Sequence, residues 1–495
     1  MVATIILIMV AQLKANVKST VVDSMVHYLR MEIISRDYKG GKAPDTMMLK
    51  VFEQVVGGSP IGKAQMITAT RQDRKKPFHF DVKVDQKFGY FELLAKPQTA
   101  SGSDAFVAIT KPQFWEWGDS LKIKIDPRET SVNSFKTAAF SGNGSGKYTA
   151  RYIVTNLRLP YTDSVDFSNV SDYPRLLKYE KRKLDVLEDF RSQMSDLSYN
   201  ILKADICYEN RNFGFHFVKE KFKKINASDK IKIDEYRRLF HSTFDRDFNF
   251  GISRDGLDNS EQYLQFLYMK NSTQTYIYTL GRDLNELFNT ISTRTSGAAR
   301  EALLVYFFTI ERNTETSATL LNKAEDMIKE PKFKEALSAL KSNIPGWKLA
   351  DYTLTNDKGQ QVRLSDFDDK VVLLDFWGAG CGACISFYKN TLSKVQDRLH
   401  GNKDFVVLSV SEDVSAEKWK EGLKSGKFTD DRSVHLYTNG KGRYDPLIID
   451  QRMNALPSVI ILGKGRKVLY FNTDELYEYG GLLSAVENAL KTASR

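Results

Sequence analysis

The sequence predicts a multidomain α+β protein: an N-terminal antiparallel β domain, a central α-helical domain and a C-terminal α/β domain. Three observations predict it. The 495 residues call for about three units, at roughly 100–200 residues each. The period of the apolar residues changes twice along the chain, from two, to three and four, and then to an alternation of both. The composition is that of an ordinary folded chain: 42% hydrophobic, 27% charged, with 30 Gly and 12 Pro, too few for a collagen-like or low-complexity polymer.

Residues 1–15 form a signal-like apolar segment, with an uncharged run from Ala3 to Ala11. Such a run is too short to cross a hydrocarbon layer that needs about 20 residues, but it matches the apolar centre of a secretory signal with Ala15 as the cleavage edge. No positive charge precedes it and Leu13 is large for its position, so a buried strand or a misassigned start codon is the alternative. No cysteine follows the run to accept a lipid anchor. Export without lipidation is the expectation.

Residues 16–160 read as the β-rich domain. Phe80, Val82 and Val84 alternate with polar residues, as do Leu121, Ile123 and Ile125, between Gly- and Asn-rich turns. Residues 170–343 read as the helical domain. Leu184, Leu187, Phe190, Met194, Leu197 and Ile201 recur at three and four, and similar spacing returns from Ser228, Ser260, Gly297 and Ser317. Residues 344–495 alternate strand and helix. Val371 to Phe376 is a continuous apolar strand, Cys384 to Leu399 a helix, Phe405 to Ser411 a second buried strand, and Ser415 to Leu423 a second helix. A hairpin, Ser458 to Leu462 and Lys467 to Phe471, and a terminal helix from about Gly481 to Lys491 complete the unit.

The 72 basic residues exceed the 62 acidic ones by only 10, and no Lys/Arg block stands out, which argues against nucleic acid as a partner. The three cysteines are too few for a disulfide-stapled scaffold. Cys381 and Cys384 instead flank Gly-Ala where a buried strand hands over to a helix. There the first sulfur meets unpaired N–H groups and the positive end of the helix dipole, so Cys381 is the expected nucleophile and Cys384 the resolving thiol. Asp375, in the apolar strand, is expected to have a raised pKa and to take the proton of Cys384. Trp377, Leu456 and Pro457 are the expected substrate contacts; a cis bond before Pro457 would present the backbone of Leu456 to an extended polypeptide.

The stretch from Pro345 to Arg495 resembles the thioredoxin fold of TlpA-like thiol-disulfide oxidoreductases. The resemblance is carried by Leu354, Asn356, Asp357, Gly359, Val362, Leu364 and Ser365, the strand from Val371 to Trp377, the CGAC pair and the segment from Ala455 to Ser458. It implies attack by Cys381, resolution by Cys384, a redox-active disulfide between them, and a cis Pro457. Asp375 matches the buried acid of thioredoxin. Gly380 stands where an aromatic commonly precedes the first cysteine and Ala383 where proline is usual, and residues at these positions help set the redox potential. Upstream, Trp117 to Leu121 and Ala139 to Asn143 resemble the β-rich and helical extensions of envelope thioredoxin-like proteins of Gram-negative bacteria. The implied activity is reduction of protein disulfides in the periplasm or cell envelope. It needs no diffusible cofactor; its partners are disulfide-containing proteins and an upstream thiol donor, such as a membrane-bound one.

Other chemistries fit less well. Zinc would need two further ligands, and no two of His27, His79, His216, His241, His400 and His435 show a ligand spacing. A peroxiredoxin-like site wants Pro and Thr seven and three residues before its cysteine, where Leu374 and Gly378 stand. A third reading is a binding protein that uses the C-terminal fold as an interaction platform. The segment from Gly57 to Lys63 has phosphate-loop spacing, but Ala64 and a following strand remove the magnesium ligand and the helix N-terminus; it and the segment from Ser141 to Lys147 read as turns. Cys207 reads as a small buried hydrophobe, and Trp115 with Trp117 as packing or a sheet edge.

Overall fold

A computed structural model describes residues 27–35, 43–61, 64–96, 106–125, 138–157, 173–244, 248–311, 315–341, 344–451, 453 and 455–493. The N-terminal apolar run and Ala15 lie outside them.

The N-terminal strands are β1 (His27–Ser35), β2 (Thr46–Phe52), β3 (Gln54–Val56), β4 (Ser59–Ile61), β5 (Gln65–Thr70), β6 (Phe78–Val84), β7 (Phe88–Ala95), β8 (Val107–Ala108), β9 (Gln113–Glu116), β10 (Ser120–Ile125) and β11 (Ala139–Asn143). One sheet has the order β11-β10-β1-β6 and a second the order β5-β2-β7-β8, with β9 also on β7. The alternation that predicted strands also makes the core: Phe80, Val82, Leu121 and Ile123 of the first sheet pack with Leu49, Val51, Phe91 and Trp115 of the second. Pairing is antiparallel except between β1 and β10, which run parallel.

Gly57 and Gly58 turn the β3–β4 hairpin. The glycine-rich segment at 141–147 does more than turn: it ends β11 and starts the helix Ser145–Asn156. Its Lys147 is buried, with Nζ 2.8 Å from Asp119 and 3.1 Å from Glu116. Trp115 is a core residue, and Trp117 stacks on His27 with ring centroids 3.7 Å apart.

The middle of the chain is helical: Tyr173–Asp189, Asp196–Phe222, Lys230–Phe244, Arg254–Asp258, Glu261–Thr279, Leu284–Arg294, Gly297–Ile310, Glu315–Met327 and Pro331–Lys341. The apolar period from Leu184 to Ile201 spans two helices rather than one. The break comes where Ser195 accepts the N–H of Ser198, capping a new helix, and donates to Glu116 of β9. Cys207 is fully buried, and its thiol is pushed up to about 12, chiefly by burial.

The C-terminal sheet has the order β13-β12-β16-β15-β14-β17-β18, from β12 (Thr353–Asn356), β13 (Gln361–Arg363), β14 (Val371–Trp377), β15 (Phe405–Ser411), β16 (Val434–Tyr437), β17 (Ser458–Gly463) and β18 (Lys467–Phe471). The strands β14, β15 and β16 are parallel, β17 pairs antiparallel with β14, and β18 pairs antiparallel with β17. All seven residues of β14 are buried because both its faces are covered. Val372, Leu374 and Phe376 enter one core layer with Leu408, Val410 and Ile460. Val371 and Leu373 enter the other, under Phe387, Leu392 and Val395 and under Leu482 and Val486 of the terminal helix Tyr479–Ala493. The multidomain α+β organisation, with its thioredoxin-like α/β unit at the C-terminus, is therefore as the sequence predicts.

Candidate functional site

The chain leaves β14 through Gly378, Ala379 and Gly380. Gly380 has φ +88°, a conformation that side chains with a Cβ rarely adopt, which explains glycine where an aromatic was expected. The helix Gly382–Phe387 begins immediately after, with Cys381 as its N-cap. Cys381 and Cys384 are joined by a disulfide, their Cα atoms 5.3 Å apart. The N–H of Cys384 points at Sγ of Cys381 at 3.0 Å, so the cap position holds this sulfur against the helix's first donors. Cys381 is half-buried, whereas Cys384 is 3% exposed. Attack from outside can therefore reach one sulfur and not the other. The helical run continues through a π turn, Tyr388–Leu392, and Ser393–Arg398.

Asp375 follows the alternation of β14 and shares a face with Leu373 and Trp377. It is 2% exposed, its Oδ1 has no hydrogen-bond partner, and burial alone pushes the carboxyl up to about 8. The position opposite it on β15 is Ser409, whose Oγ accepts the indole N–H of Trp377 at 2.7 Å. Asp375 is thus a buried acid, without a cation beside it among the described residues and mostly neutral at pH 7.

Leu456 and Pro457 are half-buried, and the bond between them is cis. Leu456 lies across Gly378, its Cδ1 3.4 Å from the position a Cβ would occupy there, and packs with Cys381 against the cluster of Trp377, Cys384, Trp419, Phe428 and Tyr437. The two expected backbone contacts and the thiols therefore share one surface. Trp377 does not join it: the ring is 1% exposed and stacks on Phe428 with centroids 4.7 Å apart. Its position at the end of a strand covered on both faces directs the side chain inward, under the thiols, so the expected substrate contact is a packing residue.

Sequence reasoning missed the acid that holds the loop before the cysteines. Asp413 accepts the N–H of Ala379, with oxygens at 3.0 and 3.1 Å, and the hydroxyl of Ser411 at 2.7 Å. A signal for it exists: Ser411 ends a buried parallel strand and Asp413 follows it, and carboxyl ends of parallel strands are where such sheets place their sites. Beside it, Glu412 is pushed up to about 7 by burial, a rise that the Arg443 guanidinium at 3.6 Å partly opposes. Among the described residues no three His, Cys, Asp or Glu side chains gather as a metal-ligand set.

Residues 332–490 match the family model for Redoxin. No curated protein matches the chain. Solved structures similar to it include the thioredoxin domain of a thiol-disulfide oxidoreductase from Bacteroides vulgatus, at 24% identity and TM-score 0.26, covering 29% of this chain and 96% of that one. A thiol:disulfide interchange protein from Bacteroides sp. is 26% identical, with TM-score 0.25 and coverage of 30% and 90%. A putative thiol:disulfide interchange protein from Chlorobium tepidum is 24% identical, with TM-score 0.24 and coverage of 30% and 96%. Among the described residues no helix is long and apolar enough to cross a membrane. The C-terminal third is thus a Redoxin-type domain carrying the Cys381–Cys384 disulfide, and the two together support a redox role.

Proposed function

We propose that the chain is a thiol-disulfide oxidoreductase that reduces disulfides of other proteins in the bacterial cell envelope. The observation that carries this reading is the asymmetry of the pair: one sulfur at a helix N-cap within reach of solvent, its partner buried one turn inward. The Cys381 thiolate attacks a substrate disulfide, forms a mixed disulfide and releases one substrate thiolate. Cys384 then gives its proton to Asp375 in the minority of molecules whose carboxyl, pushed up to about 8, is ionised at pH 7, and attacks Sγ of Cys381. The second substrate thiol leaves, two electrons have passed to the substrate, and the protein holds the Cys381–Cys384 bridge. A thiol donor, membrane-bound in this reading, restores the dithiol; no diffusible cofactor takes part. Leu456 and Pro457 receive the substrate chain beside the thiols, and the N-terminal apolar run supports an envelope location.

The test is trapping. Cys384→Ala leaves Cys381 unable to be released, so envelope extracts should yield covalent adducts that dithiothreitol dissolves; an empty trap with alkylation-competent Cys381 would overturn protein disulfides as substrates. Equilibration in glutathione buffers gives the direction, since about 30 mV shifts this two-electron equilibrium tenfold.

A further inference from the structure

We propose that Tyr477 is a positioning residue of the thiol site, tying the helix that carries Cys384 to the segment Ala455–Ser458 and so favouring extended polypeptide disulfides over small ones. This rests on the reading of Cys381 and Cys384 as a protein-disulfide-reducing pair. Tyr477 lies outside every motif, in the short turn Asp474–Tyr477 after β18.

Three contacts make the tie. The Tyr477 ring meets Phe387, one turn beyond Cys384, edge-on with centroids 5.7 Å apart. Its backbone carbonyl accepts from the Thr391 hydroxyl at 3.0 Å, on the same helical run. Its hydroxyl lies 3.1 Å from the carbonyl of Pro457 and 3.1 Å from Oδ1 of Asn472. One phenolic proton is therefore shared between two carbonyl oxygens.

Asn472 holds the same segment from the other side. Its Oδ1 accepts the N–H of Val459 at 2.6 Å, its Nδ2 donates to Oγ of Ser458 at 3.1 Å, and that hydroxyl donates to the carbonyl of Ala455 at 2.7 Å. The backbone from Ala455 to Val459 thus hangs on two side chains, and only Tyr477 also grips the cysteine helix. A small disulfide needs access to Cys381 alone. A polypeptide lying along Leu456 and Pro457 needs that segment held at a set distance from the sulfur, because binding energy is lost when the partner surface must first be ordered.

Tyr477→Phe keeps the ring and the backbone contact and removes only the hydroxyl. In the full-length chain, recycled by dithiothreitol, insulin serves as polypeptide disulfide and oxidised glutathione as small disulfide. The ratio of kcat/KM for insulin to that for glutathione should fall by about threefold to tenfold, the range for one neutral hydrogen bond, with the loss in KM for insulin rather than kcat. Asn472→Ala should move the ratio in the same direction. An unchanged ratio in both variants, or equal slowing with both probes together with a shifted redox potential, overturns the inference while leaving the thiol chemistry standing. Wild-type chain that reduces neither probe overturns the underlying reading as well.

Discussion

Replacing Asp375 with asparagine separates its two consequences, on stability and on rate. Burial raises its carboxyl from 3.8 to about 8, so the folded chain keeps a proton that the unfolded chain releases. At pH below about 4 the group is neutral in both states and Asp375 is harmless. From about pH 4 to 8 stability falls by about 1.4 kcal/mol per pH unit, approaching a loss of about 6 kcal/mol at the upper end. Asparagine has nearly the same shape and no such slope. Between pH 5 and pH 8 the advantage of Asp375→Asn over wild type should therefore widen by about 4 kcal/mol, which for a domain of this size is on the order of 10 °C in Tm. Calorimetry of the two oxidised proteins across this range measures it. Tm curves that stay parallel would show that the folded carboxyl ionises normally, and the reasoning from burial would be wrong. The same substitution removes the proton acceptor for Cys384, so stopped-flow measurement should find the resolving step slowed more than the first attack. Equal slowing of both would refute the acid–base role.

Other substitutions probe the frame of the site. A Cβ on Gly422 would lie 2.7 and 2.8 Å from two ring atoms of Trp377, so Gly422→Ala should destabilise the C-terminal domain by about 1–3 kcal/mol, read in urea unfolding. Asp413→Ala leaves the N–H of Ala379 without its carboxylate and should lower the rate of attack by Cys381 several-fold, measured by single-turnover mixing, with the fold retained in circular dichroism. In the native, reduced chain iodoacetamide should label Cys381 first and leave Cys207 unlabelled, as peptide mass spectrometry can check, because Cys207 is inaccessible and its thiol is pushed up to about 12.

The order of elements in the C-terminal domain could be read from the chain because its strands are long apolar runs and its helices have a clear period. Val371 to Phe376 and Phe405 to Ser411 have no other place than the middle of a covered sheet. Strand β16 escaped notice for the opposite reason: its four residues, Val434–Tyr437, alternate too briefly to mark a strand, and it exists because β15 offers it a parallel edge. In the same way one apolar period between Leu184 and Ile201 became two helices once Ser195 found both its helix N–H and Glu116.

By itself the sequence determined where the cysteine pair sits, since two cysteines at a strand-to-helix junction meet helix N–H donors whatever surrounds them. It also determined that Asp375 would be buried, because its neighbours along the strand are apolar. Which other groups surround that pair was decided only by tertiary structure. Trp377 faces inward because β14 is covered on both sides, Asp413 reaches Ala379 because β15 lies alongside, and Tyr477 meets Phe387 and Pro457 from 90 and 20 residues away. Such contacts have no period and no local signature; they arise when separate segments must share one buried volume, and hydrogen-bond donors enclosed with them must find acceptors there.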